Sequence, residues 1–175
     1  SPAASFLRKS SSTIRLLGSM VRSCTNKLLP EPAPVTTRRD GGPFHMHTAW
    51  VALYKAAEKA LYPRNISPYI EAGGVSAAVE SFSGRIYTGV CVDTACTLGI
   101  CAERNAILTM ITNGEDAIRR VLTIERDGRT RPPCGACREL MAQLMPEQLH
   151  AVEVMIDYTT GKTVTLDDLT PQWWL

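Results

Sequence analysis

The sequence has little of what marks a membrane-spanning or nucleic-acid-binding protein. No uninterrupted apolar run approaches the roughly 18 to 20 residues that a membrane-spanning helix needs, so no membrane span is expected. From residue 46 onward, twelve Lys and Arg stand against fifteen Asp and Glu. A broad nucleic-acid groove needs clustered cations to neutralise phosphates, and this slightly acidic part of the chain does not supply them. We therefore expect no nucleic-acid partner.

The composition is otherwise that of one compact domain. The 175 residues are 45% hydrophobic and 21% charged, which is enough to bury a core without disulfides. Of the six cysteines, Cys101, Cys134 and Cys137 are better explained as thiolate ligands of a metal. The others are predicted to be free thiols: Cys24, Cys91 and Cys96. Free thiols predict a reducing compartment such as the cytosol or the mitochondrial matrix.

Residues 1–29 contain no acidic residue and five basic ones, and serine recurs throughout. This composition is typical of an organellar transit peptide, which predicts a mitochondrial protein, with a cytoplasmic location as the alternative. Apolar residues also recur at a spacing of seven, as in a basic amphipathic helix: Leu7, Ile14, Val21 and Leu28. We expect residues 5–29 to dock on a partner, another subunit or a membrane surface. The alternative is a leader with no role in the mature protein.

A proline- and glycine-rich stretch, residues 30–43, cannot extend a helix or an interior strand. It predicts a boundary between an N-terminal segment, residues 1–43, and a domain at residues 44–175. His45 and His47 would share one face of a strand, where they could bind a second metal ion. A surface or capping role is the preferred interpretation of these two histidines.

The domain is predicted to begin with a helix that Thr48 caps and that runs to about Tyr62. Two antiparallel strands, Gly74–Ser81 and Arg85–Val92, follow across a tight turn. Helices and strands then alternate along the chain: helices at 101–113 and 134–144, with Pro133 in the first turn of the latter, and strands at 120–125, 151–157 and 163–166. This alternation indicates a layered α/β domain.

Two short motifs at the beginnings of the later helices carry the chemistry. Cys134 and Cys137 are one helical turn apart, and Cys101 can approach from the neighbouring helix. Helix N-termini stabilise thiolates, and three protein ligands on Zn²⁺ leave a fourth tetrahedral position for water, as in catalytic zinc sites. Glu103 is too close to Cys101 for both to bind the metal comfortably. It is well placed to take a proton from that water and pass it to a leaving amine.

Positive charge is expected near the thiolates, because three of them on one Zn²⁺ leave a net negative centre. Arg104 and Arg138 directly follow Glu103 and Cys137 and are the nearest counter-charges. The alternative is a structural zinc knuckle or plain buried cysteines. A knuckle needs a fourth ligand, and Cys96 is the only competitor near either motif.

These residues resemble the cytidine deaminase superfamily. Cys101–Ala106 with Pro133–Arg138 is similar to its free-nucleoside branch, and Gly84–Val90 is similar to blasticidin-S deaminase. The similarity extends from about Thr48 to Trp174. It implies a three-layer α/β/α fold with a five-stranded mixed sheet, and homo-oligomers, tetramers or dimers, whose active sites neighbouring subunits complete.

The resemblance also implies the roles of individual residues. Zinc would bind to the three cysteines, and Glu103 would be the proton shuttle while hydroxide attacks C4 of a cytosine ring and ammonia is released. Arg104 would hydrogen-bond to the ligand thiolates. The backbone of Ala102 would face the base.

The positions that hold the ribose hydroxyls in cytidine deaminases differ in this chain. An Asn-x-Glu pair is replaced by Cys91 and Asp93. Asp93 can still accept one hydrogen bond, whereas Cys91 is a weak donor and acceptor. A phenylalanine expected soon after Ser67-Pro68-Tyr69 is replaced by Glu71–Gly74. The deamination machinery is intact, but the residues expected to bind the sugar are altered.

Two functions follow from these features. The first is a zinc hydrolase that deaminates a cytosine-containing nucleoside or analogue. The second is a deaminase-fold subunit of a larger organellar assembly, docked through residues 5–29, with a retained structural zinc and little or no activity.

Outside the site, Trp173 and Trp174 are expected to cover core, with closure over a neighbouring active site as the alternative. His150 is expected at the surface.

Overall fold

The computed structural model describes residues 47–174. Residues 1–46 and residue 175 lie outside the described residues, and with them the amphipathic helix, the linker and His45. The boundary at residue 43 and the docking of residues 5–29 therefore stay predictions. Within the described part, none of the helices is both long and apolar enough to cross a membrane.

The described chain alternates helices and strands, which confirms the predicted α/β class. The helices are α1 (Thr48–Ala60), α2 (Ala102–Thr112), α3 (Gly135–Leu144) and α4 (Leu166–Leu169), with a 3₁₀ turn at Leu149–Ala151. The strands are β1 (Arg64–Ser67), β2 (Ile70–Ser81), β3 (Ile86–Thr94), β4 (Ile118–Glu125), β5 (Glu153–Asp157) and β6 (Lys162–Thr165).

The six described strands form one mixed sheet. β2 pairs antiparallel with β3 and with β4. β4 and β5 are parallel, and β5 pairs antiparallel with β6. Five strands thus give the order β3-β2-β4-β5-β6, in agreement with the predicted mixed sheet. The short β1 pairs with the first residues of β2.

Alternation along the central strands assigns the two faces of the sheet. Ala78 of β2 and Leu122 of β4 are paired, and both belong to the core cluster that contains Trp50 of α1. The neighbouring pair, Ala77 and Thr123, faces the other way, toward α2. α3 contacts α2, so α1 covers one face while α2 and α3 cover the other.

Three local predictions differ from the structure near helix ends. His47 is the N-cap of α1, because its Nδ1 accepts a hydrogen bond from the Ala49 N–H at 3.2 Å, so Thr48 is already helical. Pro133 lies before the α3 N-cap, Cys134, rather than in the first helical turn. The predicted strand at 163–166 ends at Thr165, where a capping box with Asp168 starts α4.

Three strands also differ from the prediction. β2 begins at Ile70 rather than Gly74. The sequence does not predict β1, because this strand has only four residues and prolines lie close to both of its ends. The strand predicted from Ala151 begins at Glu153, because the 3₁₀ turn occupies the residues before it.

Gly89 of β3 lets α2 approach the sheet closely. It pairs with Ala77, on the face that α2 covers. A Cβ at this position would clash with the backbone nitrogen of Ala106 and lie 2.6 Å from the backbone oxygen of Ala102. Backbone atoms cannot rotate away, so any larger residue would displace the beginning of α2.

Gly89→Ala is therefore expected to lower the free energy of unfolding by about 1 to 3 kcal/mol, because the overpacked helix must shift. Differential scanning calorimetry measures the change as a lower Tm. Gly135→Ala is the control, since a Cβ there meets no atom within 4 Å. An unchanged Tm in Gly89→Ala would contradict the close approach.

Candidate metal centre and active site

Cys101 and Cys134 occupy equivalent places at the beginnings of α2 and α3. Each is the N-cap of its helix, and neither makes a side-chain capping hydrogen bond. Cys137 lies in the first turn of α3, where its side chain is buried. The N–H groups of Cys137 and Arg138 both donate to the Cys134 carbonyl at 3.0 Å, which closes this turn.

The three cysteine sulfurs converge on one point. Cys134 Sγ lies 3.5 Å from Cys101 Sγ and 3.4 Å from Cys137 Sγ, and all three lie within 4.8 Å of one another. A tetrahedral zinc with Zn–S bonds of about 2.3 Å holds its sulfurs about 3.8 Å apart, so the spacing fits this ion. Among residues 47–174, no other group of three or more His, Cys, Asp and Glu is arranged to hold a metal.

The electrostatics of the cluster also fit a cation. Burial raises the pKa of the Cys137 thiol, and the neighbouring Glu103 carboxylate adds to this. Burial, followed by the hydrogen bond with Cys134, raises the pKa of Cys101. Such thiols ionise only when positive charge compensates them, and soft thiolate donors favour zinc over hard cations. The three cysteines form a site for zinc.

Arg104 supplies the nearest side-chain counter-charge. Contact with the Cys101 sulfur raises the pKa of Arg104, so its guanidinium stays protonated beside the cluster. Arg138, which the sequence offers as a second counter-charge, faces elsewhere. Its Nε donates to the Pro133 carbonyl at 2.8 Å, and a terminal nitrogen donates to the Leu169 carbonyl at 3.1 Å. Arg138 therefore ties α3 to α4 instead of neutralising the thiolates.

Glu103 lies in the first turn of α2, beside the cluster but outside the group of metal-binding atoms. Only 5% of its surface is exposed. A carboxylate in this place has no surface role, and the position suits a group that moves protons next to the metal.

A cavity of about 450 Å³ lies over the cluster. Cys101, Cys134 and Glu103 line it. So do the three residues that the sequence predicts for substrate binding: Cys91, Asp93 and Ala102. The structure thus brings two of the three predicted metal ligands, the predicted proton shuttle and the predicted substrate-binding residues to one cavity.

Among the other residues that line this cavity, Arg131 and Thr123 escape prediction from sequence. Arg131 precedes Pro132-Pro133, and its Nε donates to Glu125 at 2.7 Å. Its only sequence signal is its place just before the second cysteine motif. Thr123 lies in the middle of the buried strand β4 and has no sequence signal at all.

Cys91 and Asp93 have different environments on β3. Cys91 is nearly buried, and its sulfur accepts a hydrogen bond from the Val75 N–H at 3.2 Å, beside an irregularity in the pairing of β2 and β3. Asp93 is exposed and lies directly opposite Glu71 of β2. The nearest cation to Glu71 is Arg126, at 4.0 Å. Asp93 lines the cavity, and the Glu71 carboxylate lies beside it on the neighbouring strand.

The remaining candidates lie outside the metal cluster. The indole N–H groups of Trp173 and Trp174 donate to the two carboxylate oxygens of Glu139, at 3.0 and 3.1 Å. Trp174 is 71% exposed, so it does not cover core as expected. Cys96 is exposed and is not part of the metal-binding group. His150 is at the surface, as predicted.

Comparison with known proteins identifies related sequences and structures. No model of a known protein family matches the chain. A cytidine deaminase from Halalkalibacterium halodurans is 34% identical over 74 residues, which cover 41% of this chain and only 55% of that protein. A blasticidin-S deaminase from Bacillus cereus is 28% identical over 108 residues, which cover 55% of this chain and 74% of that protein.

A solved structure extends the similarity to a larger share of the chain. The crystal structure of cytidine deaminase from Mycobacterium leprae matches with a TM-score of 0.58 and 28% identity, over 70% of this chain and 98% of that chain. Sequence, fold and the convergence of the three cysteines agree. These findings support the cytidine deaminase superfamily as the family to which this chain is related.

Proposed function

We propose that this protein is a zinc-dependent hydrolase that deaminates a free cytosine-containing nucleoside or analogue and releases ammonia. One observation carries the proposal. Glu103 is buried next to the three-cysteine cluster and lines the cavity that a substrate would enter. A purely structural zinc site needs no such carboxylate and no cavity. The similarity to a cytidine deaminase and a blasticidin-S deaminase supports the same reaction class.

The proposed reaction replaces the exocyclic amine on C4 of the pyrimidine by oxygen from water. Cys101, Cys134 and Cys137 would hold a zinc ion, which would supply Lewis-acid activation of that water near neutral pH. Glu103 accepts a proton from the water, and of the water's two protons one is delivered to the ring nitrogen N3 and the other to the departing amine, so ammonia leaves and the ring keeps a C4 carbonyl. Ala102 offers backbone polar groups at the cavity wall to orient the base. Arg104 holds positive charge beside the sulfurs throughout.

The mouth of the cavity favours a substrate without phosphate. Asp93 lines the cavity, and Glu71 lies opposite it on the neighbouring strand. A phosphate on the sugar would bring two further negative charges near this pair, and at a separation of several ångströms such repulsion costs roughly 1 to 3 kcal/mol. Asp93 can accept a hydrogen bond from a sugar hydroxyl, whereas the Cys91 sulfur is already bonded to the Val75 N–H.

An ammonia-release assay tests the reaction class and this selectivity together. We expect release from at least one of cytidine, deoxycytidine and blasticidin S, and a kcat/KM for cytidine monophosphate about tenfold or more below that for cytidine, because the phosphate is repelled. The difference in kcat/KM between cytidine and cytidine monophosphate should decrease as the salt concentration rises, since salt screens exposed charges. No release from any of these compounds would refute deamination, and equal use of the monophosphate would refute the repulsion alone.

A deaminase-fold subunit of a larger assembly stays as the second hypothesis. It is motivated by the Cys91 sulfur, which occupies a position expected to bind the sugar but bonds to the backbone. It would place the protein in the mitochondrion, on the composition of residues 1–29, and bind it to other chains through residues 5–29. Purification of the full chain as an active homo-oligomer without foreign chains would decide against it. An inactive chain that co-purifies with other subunits would decide for it.

A further inference from the structure

Within residues 47–174, three buried polar side-chain atoms have no hydrogen-bond partner: Tyr87 Oη, Arg104 Nε and Thr123 Oγ1. Tyr87 does not line the cavity. Arg104 has the cysteine sulfurs beside its guanidinium. Thr123 differs from both, because it lines the cavity and yet none of the cysteine sulfurs or the Glu103 carboxylate is its partner. Its hydroxyl therefore needs a partner that the protein does not provide.

An unpaired hydroxyl in this place is costly. Thr123 is only 2% exposed, and a buried polar group without a hydrogen bond costs about 1 to 3 kcal/mol. Its paired neighbour on the same face of the sheet is Ala77, which has no acceptor in its side chain. Valine has almost the same shape as threonine, suits a strand at least as well and would avoid this cost. Retention of a hydroxyl is explained if a bound molecule completes the hydrogen bond.

The backbone of Thr123 is held on both edges of its strand. On one edge it pairs with Ala77 of β2. On the other, its carbonyl accepts a hydrogen bond from the Arg131 N–H at 3.0 Å, just before the second cysteine motif. Because the backbone already holds this side chain in place, the hydroxyl can orient a ligand with little loss of conformational entropy on binding.

We propose that Thr123 is a substrate-binding residue whose hydroxyl hydrogen-bonds to the polar edge of the pyrimidine ring. This inference rests on the proposed deamination and deepens it. The reaction turns a ring substituent that donates hydrogen bonds, an amine, into one that accepts them, a carbonyl. A hydroxyl can both donate and accept, so it can serve substrate and product alike by rotating its proton. Thr123 therefore recognises the ring, while Glu103 moves the protons.

Thr123→Val tests the proposal, because it removes the hydroxyl and keeps the shape. We expect kcat/KM for the best amino-pyrimidine substrate to fall about tenfold, as for a lost hydrogen bond to a neutral group, mainly through a higher KM. Equilibrium binding of uridine, measured by isothermal titration calorimetry, should weaken by a similar factor. The Tm should stay the same or rise, because an unpaired buried hydroxyl is gone. Thr123→Ser keeps the hydroxyl and should restore most of the binding.

Thr163→Val on β6 is the matched control, since this strand threonine does not line the cavity. It should leave KM and uridine binding as in the wild type. If Thr123→Val retains wild-type KM and uridine affinity, the proposed contact is wrong, while ammonia release by the wild type still supports the deaminase. A marked loss of Tm in Thr123→Val would instead show a structural role and would also overturn the contact. If the wild type releases no ammonia but uridine binding depends on the hydroxyl, the contact holds and the catalytic proposal fails.

Discussion

Replacement of Glu103 by glutamine is expected to reduce ammonia release by about 10²- to 10⁴-fold, the usual contribution of a general acid and base. The amide keeps the size of the carboxylate but cannot accept a proton from water. Glu103 is outside the group of metal-binding atoms, so the variant should still hold about one zinc ion per chain. Steady-state ammonia release and metal analysis by mass spectrometry measure the two effects separately.

Glu147→Gln is a suitable control for the charge change, because Glu147 is exposed and does not line the metal cavity. Its activity should match that of the wild type. Normal turnover in Glu103→Gln would remove this residue from the mechanism. Loss of zinc from Glu103→Gln would show that the carboxylate supports the metal instead.

Cys137→Ser is expected to reduce bound zinc from about one ion per chain toward none, and to abolish ammonia release with it. Cys137 is the most buried of the three sulfurs, and burial raises the pKa of its thiol. A serine hydroxyl is far harder to ionise and binds zinc poorly, so the remaining two cysteines cannot hold the ion as tightly. The Tm should fall too, because bound metal stabilises only the folded state.

Cys96→Ser is the matched control for this second prediction. Cys96 is exposed, and its sulfur is not in the metal-binding group. Zinc content should therefore stay at the wild-type level. If Cys96→Ser loses zinc while Cys137→Ser retains it, the third zinc ligand is Cys96 and not Cys137.

Sequence alone predicts the part of the site that depends on local spacing. Cys134 and Cys137 are three residues apart at the beginning of a helix, and helical geometry then fixes where their side chains lie. Glu103 follows Cys101 closely enough to be excluded as a ligand and assigned to proton transfer. These inferences need no knowledge of strand pairing, which is why they can be made from the linear sequence.

Thr123 and Arg138 show where such reasoning ends. Thr123 reaches the cavity because β4 pairs with β2 in one particular register. The spacing of residues along the chain does not determine the register of strands that are distant in sequence. Arg138 follows a ligand cysteine and carries the right charge. It nevertheless turns to the Leu169 carbonyl of α4, a short helix that the sequence does not predict. Both outcomes depend on tertiary contacts.

The two ligand cysteines at the N-caps of α2 and α3 have a consequence for assembly of the domain. Helices usually begin at a residue whose oxygen bonds to a free amide, and loss of that bond costs about 1 kcal/mol. Neither Cys101 nor Cys134 makes such a bond. A shared ion would join both helix starts, which are 33 residues apart in the chain, and so close a long loop. Folding of the domain would thereby depend on the supply of zinc.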